Sequence, residues 1–348
     1  MEEGYNVNKK IFFICKSLLV GACFFVINVH AENKSVPSLS NPNVKKLNER
    51  VYVLQGDVNG QTPQNQGFNS NITFVITKSG VVVLDSGGSV RIGRMVIKEI
   101  NKVTDKPITH VFNSHHHPDH WLGNHAFSEV NPAPMIIGHA YMKKRAGEIA
   151  HRALKRINIM TQGAHSDTKV VLPTITANGS EHFNVGGTRF VLIHPEHAHT
   201  KGDLIVYVPE EKLLVTGDVF FHLRTPGFHD ASPMGNDATL KYLSTLDVVH
   251  VVPGHGPITN RAGLKYMRTY IALLRSEVEK YYKNGFTDLD MIDKIDVGEY
   301  RNMSGFKTRF PVNVNSMYLE IVKKTGKKLF LQQVGVAQNQ SKNNINEN

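Results

Sequence analysis

Between Ser114 and His120 the chain reads SHHHPDH, which places four imidazoles and one carboxylate in six consecutive positions directly after the apolar pair Val111-Phe112. Neutral imidazole nitrogens and carboxylate oxygens are ordinary protein ligands of zinc, and each must project from a rigid base toward a shared point. A strand end followed by a tight loop is such a base. In the spacing H-x-H-x-D-H, His115 and His117 can turn to one metal ion while Asp119 and His120 turn to a neighbouring position, so the segment points to two metals. His116, at the intervening position, stays outside the ligand set. A histidine run on a solvated face is the competing explanation, and it does not account for the placement at the mouth of a strand.

Three further loops follow apolar runs and offer ligand-type side chains. After Phe190 to Ile193 comes HPEHAHTKGD, with His194, His197 and His199; after Leu213 to Val215 comes Thr216-Gly217-Asp218; after Val248 to Val252 comes Pro253-Gly254-His255-Gly256. Their glycines permit close backbone approach. Four strand-end loops therefore converge on one site.

HHHPDH, AHTKGD, TGD and PGHG, in this order and with these gaps, resemble the motifs of the metallo-β-lactamase superfamily over about Val51 to Tyr282. The resemblance implies an αββα sandwich of four layers. By it, His115, His117 and His199 bind a first zinc, Asp119, His120 and His255 bind a second, and Asp218 bridges the two. The family's third histidine precedes Thr-x-Gly-Asp/Asn, as in Thr200-Lys201-Gly202-Asp203, which selects His199 over His194 and His197. Asp85, in Leu84-Asp85-Ser86-Gly87, matches an early family motif and is expected to fix a loop or a ligand, or simply to cap a turn.

The implied chemistry is attack on a carbonyl carbon by a hydroxide shared between two zinc ions, with Asp119 and Asp218 as the catalytic carboxylates that position it. Arg224, on the loop after Asp218, is a candidate to grip a substrate carboxylate or else to tie neighbouring backbone. Trp121 and Phe228 are candidates for pocket wall or for core, and His222, His229 and Asp230 are weaker candidates around the metals.

The elements that must position these residues follow an α/β rhythm. Val51 to Leu54, Ile72 to Thr77 and Val81 to Leu84 read as strands, Val90 to Ile100 as an amphipathic helix, and Ile108 to Phe112 as the next strand. Leu204 to Val208 and Leu213 to Val215 form a hairpin through Pro209 to Lys212. A helix from about Thr239 to Leu246 leads into the strand Val248 to Val252, and Ala262 to Tyr282 is a long amphipathic helix. The expected organisation is an export signal over 1–31, a linker over 32–48, the αββα domain over 49–285, a C-terminal helical extension over 286–332 and a polar disordered tail over 333–348.

Composition narrows the compartment and the partners. Lys9 and Lys10 precede an apolar run from Ile11 to Val29, and Val29-His30-Ala31 ends in a small residue suited to signal cleavage. Lys16 breaks the run, which is poor for a membrane span of roughly 20 apolar residues. The expectation is a periplasmic or secreted protein with no stable membrane insertion after cleavage. An uncleaved anchor and a lipoprotein acylated at Cys23 are the alternatives. The two cysteines, Cys15 and Cys23, both lie in this segment, so the mature chain has no thiolate ligand, thiol nucleophile or disulfide. The net charge of +10 is scattered rather than blocked, which speaks against a nucleic-acid partner and for a mild pull on anions.

Within the family, Asp218 stands at the bridging position of the thioesterase and lactonase branches, where true β-lactamases carry Cys or Ser. The loop from Phe220 to Gly227, together with PGHG, looks most like exported zinc hydrolases beside periplasmic quinoprotein and sulfur-oxidation systems. The expected function is a dinuclear zinc hydrolase, with two Zn2+ per chain or iron in their place, acting on a carbonyl-containing small molecule that can bear a carboxylate. A lactonase or glyoxalase II-like thioesterase is the same-site alternative. A mononuclear iron sulfur dioxygenase or a non-catalytic metal-binding accessory protein is the alternative from another class.

Overall fold

The computed structural model describes residues 39, 41–179 and 181–345, and for 327–345 the backbone alone. The expected signal segment, with Lys9, Lys10, Cys15, Cys23 and Ala31, lies outside the described residues. Among the described residues no helix is long and apolar enough to cross a membrane.

A seven-stranded sheet takes its strands in chain order: β1 (Asn43–Lys46), β2 (Val51–Gln55), β3 (Ile72–Ile76), β4 (Val81–Leu84), β5 (Ile108–Phe112), β6 (Met135–His139) and β7 (Ile175–Ala177). The first four pair antiparallel, and β4 through β7 pair parallel because a crossover returns each chain end to the same edge. Helix α1 (Val90–Asn101) is the first crossover. The Ser89 hydroxyl caps it by accepting from the Ile92 amide, and Ile92, Val96 and Ile100 form its buried stripe. The short helices α2 (Pro118–Trp121) and α3 (Asn124–Ser128) follow β5, and the long α4 (Ala140–Met160) follows β6.

The second sheet has five strands in the order β12-β11-β10-β9-β8, built from β8 (His182–Val185), β9 (Thr188–Ile193), β10 (Ile205–Val208), β11 (Leu213–Val215) and β12 (His250–Val252). Helix α5 (Pro233–Leu243) crosses from β11 to the parallel β12, and α6 (Arg261–Lys283), α7 (Asp288–Met291) and α8 (Phe306–Ile345) follow.

The inner strands such as β3, β4 and β11 bury both faces, which explains their nearly unbroken apolar content, whereas the edge strands β1 and β8 stay largely exposed and polar. Between the sheets pack Val53, Val82, Leu84 and Phe112 from one and Phe190, Leu192, Val206 and Val215 from the other. Outside the first sheet, Phe74, Val83 and Val111 pack on Ile92, Val96 and Phe127. Outside the second, Ile205, Leu214 and Val251 pack on Leu240, Leu264, Ile271 and Val314. The layers are therefore α, β, β, α, as the sequence resemblance implies, with a helical C-terminal region.

Two expectations need correction. The helix expected at about Thr239 to Leu246 begins earlier: Ser232 caps it and Pro233 occupies its first turn, where a missing N–H costs nothing. The C-terminal helical extension is present as the short α7, a 3-10 turn at Gly298–Asn302 and α8, but α8 continues past the expected boundary at 332 to Ile345, and no proline after Pro311 stops it.

Candidate metal centre

Every ligand candidate follows a strand at one end of the two sheets. The connection after β5 brings His115 and His117 on its loop and Asp119 and His120 on α2; the loop after β9 brings His199; Asp218 follows β11; His255 follows β12. The structure brings all seven together. Ligand atoms of His115, His117, His199 and Asp218 lie within 4.8 Å of one another, as do those of Asp119, His120 and His255.

The ring nitrogens divide their work. His115 Nε2 and His199 Nε2 each lie 2.9 Å from His117 Nδ1, so three lone pairs aim at one point. Asp218 stands between the groups: Oδ2 is 3.8 Å from His115 Nε2, 3.5 Å from His199 Nε2 and 3.3 Å from His255 Nε2, and Oδ1 is 3.2 Å from His120 Nε2. Asp119 Oδ2 completes the other side at 3.5 Å from His255 Nε2 and 3.9 Å from His120 Nε2.

The remaining atoms are held from behind. Asp85 accepts from the Ser114 amide (2.7 Å) and hydroxyl (2.8 Å), and its Oδ2 lies 2.7 Å from His120 Nδ1. It therefore fixes the ring that faces the cluster, and its backbone pays with a left-handed φ of 62°. Ser114 Oγ also contacts His115 Nδ1 at 3.0 Å, and His255 Nδ1 meets the Asn69 carbonyl at 2.7 Å. Asp203 accepts from the amides of His199 and Thr200 and from the Thr200 hydroxyl, closing the His199 loop.

The electrostatics fit divalent cations. Burial drives the imidazoles of His115, His199 and His255 below their ordinary range, which leaves them neutral and able to ligate. Burial also opposes charge on His120, but Asp218, Asp85 and Asp119 outweigh it and raise that ring well above the usual value. The buried Asp85 and Asp218 and the partly exposed Asp119 thus gather negative charge beside the neutral rings of His115, His199 and His255, which positive ions would offset. Asp218 Oδ1 and His120 Nε2, both buried, make no hydrogen bond within the described residues and converge on a common space instead. Orphaned polar atoms of this kind are what bound metal ions would satisfy.

Other candidates fall elsewhere. His194 Nδ1 meets the Asp203 carbonyl and His197 Nε2 the Asp230 carbonyl, so neither joins the cluster. His116 Nε2 and His117 Nε2 both lie 3.3 Å from Asp230 Oδ2, and His229 Nε2 is 3.1 Å from His117 Nε2. His222 turns to the Pro257 carbonyl. Trp121 does not wall the pocket: one residue after His120 on α2 its ring points about 100° around the helix, where it packs with Leu122, Met142 and Ala146 and donates to the His116 carbonyl. Phe228 packs in the helical layer against the second sheet. Arg224 borders the ligand cluster, but its Nη1 donates to the carbonyls of Val58 (3.2 Å) and Asn59 (2.7 Å).

Above the cluster opens a cavity of about 540 Å³. Its walls include Ile157 and Met160 of α4, Phe221 after β11, and Arg309 and Val312 of α8, so the C-terminal extension covers one side of the site. Sequence reasoning did not find the roles of Ser114 and Asp203, although both lie inside the quoted motifs. It had no local signal for Arg156 or Arg309.

Comparison with known proteins matches the family model described as the metallo-beta-lactamase superfamily to residues 65–255, a stretch that carries all seven ligand candidates. A linear primary-alkylsulfatase of Pseudomonas sp. is 23% identical over 265 residues, covering 62% of this chain and 48% of that protein. A metallo-beta-lactamase type 2 of Bacillus sp. strain 170 is 23% identical over 232 residues, covering 63% and 78%. Among solved structures, the stereoselective inverting sec-alkylsulfatase of Pseudomonas sp. superposes with a TM-score of 0.62 at 17% identity, over 80% of this chain and 50% of that one. The chain thus spans about half the length of the alkylsulfatases it matches.

Proposed function

This chain belongs to the metallo-beta-lactamase superfamily, and on that footing we propose that it is a metal-dependent hydrolase that opens an amide, lactam or ester-type bond of a small molecule at a two-zinc centre, after export to the periplasm or beyond. The observation that carries the reading is the position of Asp218, whose carboxylate reaches imidazoles of both ligand groups. His115, His117 and His199 would hold one cation, Asp119, His120 and His255 the other, and Asp218 both. Such a pair supplies hydroxide from water near neutral pH and polarises the bond under attack.

The chain's own residues do the rest. Burial leaves His115 and His199 of the first group without a competing proton. Asp119 is the cluster carboxylate nearer the cavity, with 16% of its side chain exposed against 6% for Asp218. Burial disfavours its charge, yet His120 and His255 keep its carboxyl below the ordinary range, so it is an ionised acceptor. In this reading Asp119 would take the proton of the attacking water on the carboxylate oxygen that does not hold the cation and return it to the leaving group.

Hydrolysis of a sulfate ester is the second reading, favoured by the arginines that line the same cavity and by the alkylsulfatase relative. A panel of a chromogenic cephalosporin, a lactone, a thioester and an alkyl sulfate, run on protein of measured metal content, separates the readings. Turnover of a carbonyl substrate supports the first, and turnover of the sulfate alone replaces it with the second. One iron per chain with no hydrolysis would transfer the site to oxygenase chemistry. Export predicts a mature protein whose mass begins after Ala31, and an intact amino terminus in the native host would contradict it.

A further inference from the structure

The cavity carries positive charge that the ligand set does not use. Arg156 of α4, Arg224 and Arg309 of α8 all line it. Arg224 is largely committed to structure: it is 1% exposed and its Nη1 is tied to the carbonyls of Val58 and Asn59, while its buried Nε has no hydrogen-bond partner within the described residues. The residue that the sequence suggests as a carboxylate grip is therefore a brace for the 58–59 loop.

Arg309 is placed differently. It is half-buried, with its guanidinium over Gly305, and within the described residues its side chain makes no hydrogen bond or ion pair; the same holds for Arg156, which is exposed. Burial, and then the field of Asp218 and Asp119, act on Arg309 in opposite directions, and Arg156 adds repulsion. The two carboxylates are already claimed by the cation sites. A guanidinium partly withdrawn from water without a carboxylate of its own is costly unless a partner arrives from outside. Beside it, Ile157, Met160 and Val312 give the same cavity an apolar wall.

We infer that Arg309 and Arg156 form a subsite for the oxyanion of an amphiphilic small molecule, a carboxylate or a sulfate, whose apolar part lies on Ile157, Met160 and Val312. The inference rests on the hydrolase reading of this cavity and deepens it by naming the substrate class. Arg309 is the inner contact and fits a two-pronged grip on two oxygens, while Arg156, at the solvent-exposed side, adds charge that draws the anion in. The shared oxyanion chemistry explains why the cavity suits either a carboxylate-bearing carbonyl compound or a sulfate.

Calorimetric titration of the metal-loaded full chain with octanoate, octyl sulfate and octanol tests this, with metal content measured on each sample. The expected result is that at least one anion binds about tenfold or more tightly than octanol, and the tighter of the two names the oxyanion. Arg309→Gln and Arg156→Gln should each weaken that anion about tenfold with octanol unaffected, Arg309→Lys should recover part of the loss, and Arg152→Gln, an exposed α4 position outside the cavity lining, should change nothing. Undiminished anion binding in both Gln variants would show that the cations alone hold the oxyanion and overturn the subsite, as would an equal loss in Arg152→Gln. Should Arg309→Gln fail to fold, the exposed Arg156→Gln decides the question. Wild-type protein lacking two metals would count against the hydrolase reading, whereas the guanidinium contacts would still be read from the anion-to-octanol ratio.

Discussion

On the seven-stranded sheet, His115 and His120 are held from behind by side chains, Ser114 and Asp85, which themselves hydrogen-bond each other. On the five-stranded sheet the holding side chain grips loop backbone and not a ring. Asp203 gathers the amides of His199 and Thr200, while Asp218 lies against Gly254 so closely that a Cβ there would come within 2.0 Å of Oδ1. His199 Nδ1 has no hydrogen-bond partner within the described residues. The difference teaches that one half of the centre is tuned by the electrostatics of a brace and the other by exclusion of volume. Substitutions should therefore fail in different ways on the two sides.

The largest effect is expected at Gly254. Gly254→Val must displace Asp218 or the backbone of Gly217, which stands 2.7 Å from the same Cβ position, so both cation sites should empty together and turnover should fall by more than about 100-fold. Two bound metals in that variant would end the volume argument.

Asp85→Ala comes next. It should weaken metal binding by about 10- to 100-fold and should do so first at the site that includes His120, as seen by stepwise chelator titration. Simultaneous loss of both ions would mean that the two halves are not braced separately.

For Asp203→Ala, two amides and a hydroxyl lose their acceptor, and a thermal midpoint lowered by an amount equivalent to about 2 kcal/mol is expected, with the His199-containing site weakened more than the other. An unchanged midpoint would show that water or a neighbour replaces the carboxylate. Ser114→Ala should be mildest, at about 1 kcal/mol and a few-fold in metal affinity, because the His115 ring stays enclosed by its neighbours.

The candidate ligands were legible in the sequence because each is a local event: an apolar strand ends, and a histidine or aspartate follows within a few residues. HHHPDH and PGHG needed no knowledge of distant packing. Trp121 shows the limit even at short range, since one step along a helical turn carried it from the metals to the core beside α4. Arg224 shows a second limit, because its partners, the Val58 and Asn59 carbonyls, lie on a loop 165 or more residues earlier. Arg309 could not be read at all. It becomes part of the site only when α8 folds back over the cavity, and nothing in its neighbours in sequence reports that. The start of α5 was missed for a local reason, since Pro233 reads as a breaker but serves as a first-turn residue behind the Ser232 cap.

The central claim is that one carboxylate, Asp218, serves two cation sites. Native mass spectrometry with elemental analysis of the wild-type chain and of Asp218→Ala tests it most directly. The account predicts two divalent ions per wild-type chain and the weakening of both sites in the variant. One ion in the wild type, or two firmly held ions in Asp218→Ala, would contradict it.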